Sequence, residues 1–393
     1  MRAEKEMLKL RPTAAALALA PAAALGVGAV SGPAAARSIS PPGGGTPATT
    51  PATARTSVAV LHVAAIRHYG PPANASGFSV IIATGARQAW AFGGTNPGGP
   101  STPIAALWNG TTLTPSTLPR GLTGFINEAS SPAANDVWAA GQFGRYVLHW
   151  NGKGWRVARQ WRSGQITGLT AINARDVWIF GTTTDGSRTV GTWHFDGTTW
   201  SPASGAAGSL YRASALSQND IWAIGANSGA DVILRYDGHT WSRVRTGPSL
   251  NGIEPEDILA VSNRDVWVAG TVTSRGDLPH LELLHWNGSH WSRLPTGLAA
   301  WAGRLAVGPN GDVLLTATPA NASATGLIVH ASSRGWGSAM VVAGGMASGV
   351  SDVTLAPQSG SLWATGGILT RLGGAAAIWS GPLGRAGHPD TES

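Results

Sequence analysis

The 393-residue chain contains no cysteine. This excludes disulfides, thiolate metal sites, a cysteine nucleophile and a lipid-modified N-terminal cysteine, so stability must come from packing. Charge is also scarce, with only 12% Asp, Glu, Lys and Arg, too little for helices that carry a solvated face. Lysine supplies just 3 of the 27 cations, and the arginines are scattered from Arg37 to Arg385 without a basic helix or stripe. No nucleic-acid partner is expected from that distribution. What is abundant is glycine, at 54, and tryptophan, at 18, a balance that fits turn-rich β-structure.

The N-terminus differs from everything after it. Arg2, Lys5, Lys9 and Arg11 precede an apolar run from Ala14 to Val30, then the small residues of GPAAARS. Residues 1–36 read as a secretory signal cleaved after Ala36. The run is 17 residues long, Ala-rich and interrupted by Pro21, which is short and weak for a permanent span; an uncleaved anchor is the alternative. Cleavage would remove four cations and two acids, taking the formal charge from +7 to +5. An extracellular or cell-envelope location is expected, with no stable membrane span after cleavage. Residues 37–55, rich in Pro, Thr and Gly, read as a disordered linker, and 382–393 as a C-terminal tail.

Between them the chain repeats itself. The clearest copies are ANDVWAAG with HWNGKGW, ARDVWIFG with HFDGTTW, QNDIWAIG with RYDGHTW, and NRDVWVAG with HWNGSHW. Weaker copies flank these four. The anchors Trp90, Trp138, Trp178, Trp222, Trp267, Leu314 and Trp363 are separated by 48, 40, 44, 45, 47 and 49 residues, within the roughly 40 to 50 residues of a four-stranded propeller blade. Asn109, Asn151, Asp196, Asp237 and Asn287, each followed by Gly, predict two-residue hairpins between the third and fourth strands. Asp136, Asp176, Asp220, Asp265 and Asp312 precede the second strand, where an Asp can hold a turn by accepting backbone N–H bonds. The tryptophans are expected to fill space between neighbouring blades.

After Gly381 too little remains for a good fourth strand in the last unit, whereas Thr56 to Ile66 is an apolar strand left over before the first. It would complete the seventh blade and leave no open edge. The predicted fold is therefore all-β: a seven-bladed β-propeller of four-stranded antiparallel blades over residues 56–381, closed by an N-terminal strand. The phrases DVWxxG and HWNGxxW resemble the repeat of secreted bacterial β-propeller proteins. The DGTTW and NGSHW hairpins are distantly similar to the Asp-box of sialidase-like propellers, with one residue missing between acid and glycine, and kelch-type propellers are similar in architecture alone. A sialidase-like activity would imply a tyrosine nucleophile with a glutamate partner and an arginine triad. The chain has just four tyrosines, Tyr69, Tyr146, Tyr211 and Tyr236, and no Phe-Arg-Ile-Pro motif.

Few residues invite catalytic chemistry. Glu254, Glu256 and Asp257 offer paired carboxylates for glycoside hydrolysis, though their closeness in sequence reads as a solvated acidic turn. His280, His285 and His290 are five apart, which in strands alternates faces. His149, His194, His285 and His330 share one repeat position and read as packing or hairpin support. No metal site, cofactor or catalytic constellation is assigned.

The variable connections carry the functional expectation, because binding residues concentrate on such loops over a rigid scaffold. Connections from the second to the third strand, and from the fourth strand to the next unit, emerge on one face. The inter-blade set pairs an arginine with an aromatic five times: Arg67 with Tyr69, Arg120 with Phe125, Trp161 with Arg162, Tyr211 with Arg212, and Trp301 with Arg304. Flat rings stack on sugars and guanidinium forks grip carboxylates. The sequence thus reads as a secreted, monomeric, non-catalytic binding module holding an extracellular glycan or acidic peptide, or an envelope protein, near the channel mouth. An Asp-box-like glycoside hydrolase or lyase, and a surface protein-interaction scaffold, are the alternatives.

Overall fold

A computed structural model of the chain describes residues 60–382 apart from the segments 71–74, 97–99, 144, 183–189, 204–208, 228–229, 246–249, 321–325, 334 and 343–346. The expected signal, the linker and the tail from residue 383 lie outside the described residues. Among those described, regular structure is almost entirely β-strand.

The strands follow the repeat. After β1 (Val60–Arg67) come β2 (Ala75–Gly85), β3 (Gln88–Asn96), β4 (Thr102–Trp108) and β5 (Leu113–Pro115), which form one antiparallel sheet. The next sheet is β6 (Ile126–Ala133), β7 (Asp136–Gly141), β8 (Tyr146–Trp150) and β9 (Trp155–Gln160). A third holds β10 (Gln165–Asn173), β11 (Asp176–Thr182), β12 (Trp193–Phe195) and β13 (Trp200–Pro202). The fourth contains β14 (Ser209–Ser217), β15 (Asp220–Asn227), β16 (Ala230–Tyr236) and β17 (Trp241–Arg243). Beyond these lie β18 (Glu254–Ser262), β19 (Asp265–Val272), β20 (His280–Trp286), β21 (Trp291–Val307), β22 (Val313–Pro319), β23 (Leu327–Ser332) and β24 (Gly335–Val342). The last three strands are β25 (Ala347–Leu355), β26 (Ser361–Thr370) and β27 (Gly373–Pro382).

The repeat count leads one to expect seven separate sheets. Instead the last part of the chain forms one eleven-stranded sheet, in the order β18-β19-β20-β21-β22-β23-β24-β1-β27-β26-β25. The reason is local. The 17-residue β21 is not interrupted by a turn, so its first half pairs with β20 and its second half with β22. β1 then touches β24 in parallel through two residues and runs antiparallel to β27, from His62 opposite Ser380 to Arg67 opposite Ala376. The innermost strands pack on one another in cyclic order, β2, β6, β10, β14, β18, β21, β25 and back to β2.

Three of the anchor tryptophans are fixed twice. Asp136 Oδ1 accepts the Trp138 indole N–H at 2.9 Å and lies 2.8 Å from His149 Nε2, while the His149 ring stacks on Trp138 at 4.1 Å between centroids. The same clamp joins Asp176, Trp178 and His194, and Asp265, Trp267 and His285. In the fourth repeat Arg235 takes the histidine's place, bonding Asp220 and lying over the Trp222 ring at 4.9 Å. The aspartates were expected to hold turns through backbone N–H groups; they hold side chains instead, an indole and an imidazole at Asp136, Asp176 and Asp265, a guanidinium at Asp220 and an imidazole at Asp312. The far side of each ring meets the next unit: Trp138 meets Phe195 and Trp200, Trp178 meets Tyr236 and Trp241.

The outer turns also depart from expectation. Trp108 pairs with Leu113, so the loop Asn109–Thr112 has four residues rather than two. The Asn109 carboxamide oxygen caps the N–H groups of Thr111 and Thr112 at 3.0 and 2.7 Å, and Gly110 alone takes positive φ, at 91°. Gly197 repeats this geometry at φ 95°, and a Cβ there would lie 2.6 Å from Arg175 Cγ. Replacing Asp176 with Ala strips the Trp178 indole and His194 of their common acceptor; urea unfolding is expected to show a loss of about 1–3 kcal/mol, with no change in the far-ultraviolet spectrum.

Candidate functional site

Every innermost strand carries a β-bulge at the same register position. The pairing shifts between Phe78 and Val80, Ile126 and Glu128, Ile166 and Gly168, Leu210 and Arg212, Pro255 and Asp257, Ala302 and Leu305, and Val350 and Asp352. A bulge leaves one residue unpaired and re-aims it. On an innermost strand the free edge faces the channel, so the extra residues Ser79, Asn127, Thr167, Tyr211, Glu256, Gly303 and Ser351 line it, and all are half-buried. These positions lie near the strand starts, toward the face that carries the variable connections.

The next position is a second, deeper ring: Val80, Glu128, Gly168, Arg212, Asp257, Arg304 and Asp352. Its charged members meet. Arg304 grips Glu128 with two nitrogens, Nη2 to Oε1 at 2.8 Å and Nη1 to Oε2 at 3.2 Å, and also donates to the Asn127 carbonyl at 2.6 Å. Arg212 donates through Nη1 to the same Glu128 Oε1 and to the Thr167 carbonyl. β21 and β6 are not neighbours in the ring, so the Arg304–Glu128 fork crosses the channel. Asp257 accepts the Ile258 and Leu305 N–H groups at 3.0 and 2.8 Å, and Asp352 those of Val353 and Ile81, both at 2.9 Å. Each aspartate therefore staples its own strand to the innermost strand of the next unit.

Three carboxylates face two guanidiniums in this ring, and Glu256 adds a fourth acid at its rim. Burial, more than this imbalance, sets the acids. Burial pushes Glu256 up to about 7, opposed by Arg212 and reinforced by Glu254 and Asp257. Burial likewise raises Asp352 to about 7, against Arg304 and the two backbone donors, and raises Asp257. Burial alone would lower the Arg304 pKa, but Glu128, Asp257 and Asp352 outweigh it and hold the guanidinium above its ordinary value. A polar chain continues outward from the rim: Asn127 donates to Gln142 at 2.8 Å, Gln142 to Gln165 at 3.2 Å and Gln165 to Thr182 at 3.1 Å.

A second feature lies on the same face, beside the channel. A cavity of about 370 Å³ opens between the β1–β2 and β5–β6 connections, with Tyr69, Ile104, Pro115, Leu118, Arg120 and Leu122 among its walls. The Tyr69 ring stands edge-on to Phe78 at 6.0 Å with Arg67 above it at 5.8 Å. Burial pushes the Tyr69 hydroxyl up to about 12, with Arg67 opposing.

The ten residues expected to bind ligand are thus divided. Tyr211, Arg212 and Arg304 reach the channel, the arginines in the ion cluster rather than on an open loop. Arg67, Tyr69 and Arg120 gather at the side cavity. Phe125 packs its ring on Gly94, and Trp161 packs into the core against Trp193 and Trp200 with Arg159 over its ring at 5.4 Å. Arg162 and Trp301 are exposed and join neither group. Glu256 and Asp257, expected on a solvated turn, are in β18 because the acidic stretch spans its bulge. The histidines at the repeated position are all tied to aspartates, as packing support requires.

No protein-family model matches the chain, and no curated protein matches it. Solved structures do. A YCF48 structure bound to a D1 peptide is 14% identical, with a TM-score of 0.53 over 82% of this chain and 99% of that one. The Cps50 (Swd1) β-propeller domain of Myceliophteria thermophila is 13% identical, with a TM-score of 0.55 over 81% and 100%. The fold is a β-propeller. Its blades are four-stranded and antiparallel, and a catalytically inactive virginiamycin B lyase from Staphylococcus aureus with quinupristin shares the fold at 12% identity and a TM-score of 0.53, over 80% of this chain and 98% of that one. Among the described residues, no helix of the propeller is long and apolar enough to cross a membrane.

Two outcomes test this geometry. Glu128→Ala leaves two guanidiniums in the channel without their shared carboxylate and is expected to cost about 3–5 kcal/mol in urea unfolding. Asp352 titrates near 7 when folded but near 4 when unfolded. Between those values the native state holds the extra proton, so stability falls as pH rises from about 4 to about 7 and then levels. Urea midpoints at pH 5 and 7.5 should show the fall, and Asp352→Asn should reduce it.

Proposed function

We propose that the chain is an extracellular, non-catalytic binding module, a seven-bladed propeller closed by its N-terminal strand, that holds a glycan over the channel mouth. The cyclic packing of the innermost strands and the β1–β27 pairing support the blade count and the closure. The resemblance of the repeat to secreted bacterial propellers and the basic, apolar N-terminus support the location, and the chain acts as a monomer.

One observation carries the ligand site. Around the rim, Glu256, Gly303, Ser351 and Ser79 belong to consecutive innermost strands, and the Glu256, Ser351 and Ser79 side chains have no hydrogen-bond partner among the described residues. Gly303 between them carries no side chain, because Thr316 stands where its Cβ would be, with the hydroxyl oxygen 2.4 Å from that position. This arc of hydroxyl and carboxyl groups, with Tyr211 on the strand beside Glu256, suits a ligand rich in hydroxyls. An acidic peptide is less well matched at the mouth, because Arg212 and Arg304 are already engaged by Glu128 and the remaining acid is Glu256.

The hydrolase alternative needs two free carboxyl groups facing the substrate. Glu128 is held by two arginines, and Asp257 and Asp352 by two backbone N–H groups each. Only Glu256 of these is left without such bonds, which favours binding over two-carboxylate hydrolysis. A lyase shares the fold, but fold alone does not transfer activity.

Glycan-array binding by the chain from residue 37, compared with a Glu256→Gln, Ser351→Ala double variant, tests the reading. A loss of about tenfold or more, equivalent to about 1.4 kcal/mol, is expected at an unchanged melting temperature. Equal binding by the variant, or no glycan bound at all, would overturn it.

A further inference from the structure

The side cavity on the first unit is separate from the rim, and its chemistry is different. Its walls are mainly aliphatic and prolyl, with Ile104, Leu118 and Pro115 among them, and they contain no aspartate or glutamate. At about 370 Å³ it is at the lower end of the roughly 300–1,000 Å³ of ligand clefts, room for one or two side chains. The wall is fixed at both ends: Ser116 N–H donates to the Ala105 carbonyl at 2.9 Å, and Gly124 N–H to the Ser101 carbonyl at 2.8 Å. Between these ties the segment carries Arg120, exposed and without a hydrogen bond or ion pair among the described residues. Arg67, likewise without a carboxylate partner, lies over the Tyr69 ring that forms part of the opposite wall.

An apolar recess lined by one guanidinium without an ion-pair partner, that of Arg120, with Arg67 over the Tyr69 ring of its wall, is complementary to a group that is apolar at one end and anionic at the other. Arginine is suited to that end because its fork can take both oxygens of a carboxylate. We propose that this cavity is a second binding site, independent of the channel mouth, for an extended peptide that inserts an aliphatic side chain and places a neighbouring carboxylate on Arg120. The carboxylate is the shared chemistry of two sources, the peptide's C-terminus or an acidic side chain.

Fluorescence polarisation with the chain from residue 37 distinguishes them. The probes are pools of labelled pentapeptides with a Leu, Ile, Val or Pro residue preceding the anionic group. One pool ends in a free carboxylate, a second is C-terminally amidated with a penultimate Glu, and a third is amidated and neutral. Binding by the first or second pool, at least about tenfold tighter than by the third, is the expected result, and whichever pool binds names the source. Arg120→Ala should abolish the preference for acid, and Leu118→Asp should weaken binding of the acid pools at least as much. The Glu256→Gln, Ser351→Ala variant should bind the peptides normally, so loss of glycan binding and loss of peptide binding report on separate sites. Equal binding of the neutral pool, retention of the acid preference in Arg120→Ala, or no binding by any pool to folded protein would overturn the proposal, as would binding of acidic glycans in place of peptides.

Discussion

A β-sheet whose two faces are both apolar cannot stand alone in water, and that constraint organises this protein. The central strands, such as β7 with Val137, Trp138, Ala139 and Ala140 all buried, are apolar on consecutive residues and not on alternate ones. Each sheet therefore needs a neighbour on either side, and a ring supplies both. The tryptophan is the largest piece of the joint. Its indole N–H is costly to bury unpaired; for Trp138, Trp178 and Trp267 the aspartate two residues earlier satisfies it while a histidine covers the ring, whereas the Trp222 indole N–H has no partner among the described residues and Arg235 covers its ring. In those three units the aspartate before the second strand secures the tryptophan between the sheets.

The ring then creates a different problem at its centre. The innermost strands leave one edge unpaired, and the bulge repeated in each of them turns that edge into two lines of side chains. In the deeper line, polar groups are withdrawn from water and must find partners. Glu128 does so with Arg212 and Arg304 from distant strands, and Asp257 and Asp352 each do so with one backbone N–H of their own strand and one of the following unit. Replacing such a cluster by apolar residues need not destabilise a protein; what it provides is register, since each unit is tied to a particular other one.

The binding sites proposed above lie at positions where the units cease to be alike. Where the repeat is regular, its residues clamp and turn; where it is irregular, the side chains of Ser79, Glu256 and Ser351 on the rim and Arg120 at the side cavity have no hydrogen-bond partner among the described residues. The exposed face combines a hydroxyl-lined arc with a small apolar recess edged by arginine, two chemistries on one rigid frame.

Much of this was legible before any coordinates. The spacing of the tryptophans marked the repeat, and the Asn-Gly and Asp-Gly pairs marked where the outer turns fall but not their four-residue form; the leftover apolar stretch contains β1, which pairs with β27. Even the deeper ring has a written signature: Glu128, Gly168, Arg212 and Asp257 each stand ten residues before the tryptophan of their unit, so a comparison of that position would have singled out its charges. The sequence alone determined the repeating frame, because period and turn chemistry act over a few neighbouring residues. Tertiary structure alone decided that Arg304 would meet Glu128, 176 residues away, that Trp161 would be core while Arg120 stays free, and that β21 would run on from one unit to the next. Those outcomes depend on where the propeller brings distant strands together, and the charge or aromaticity of a residue does not record which other residue it will face.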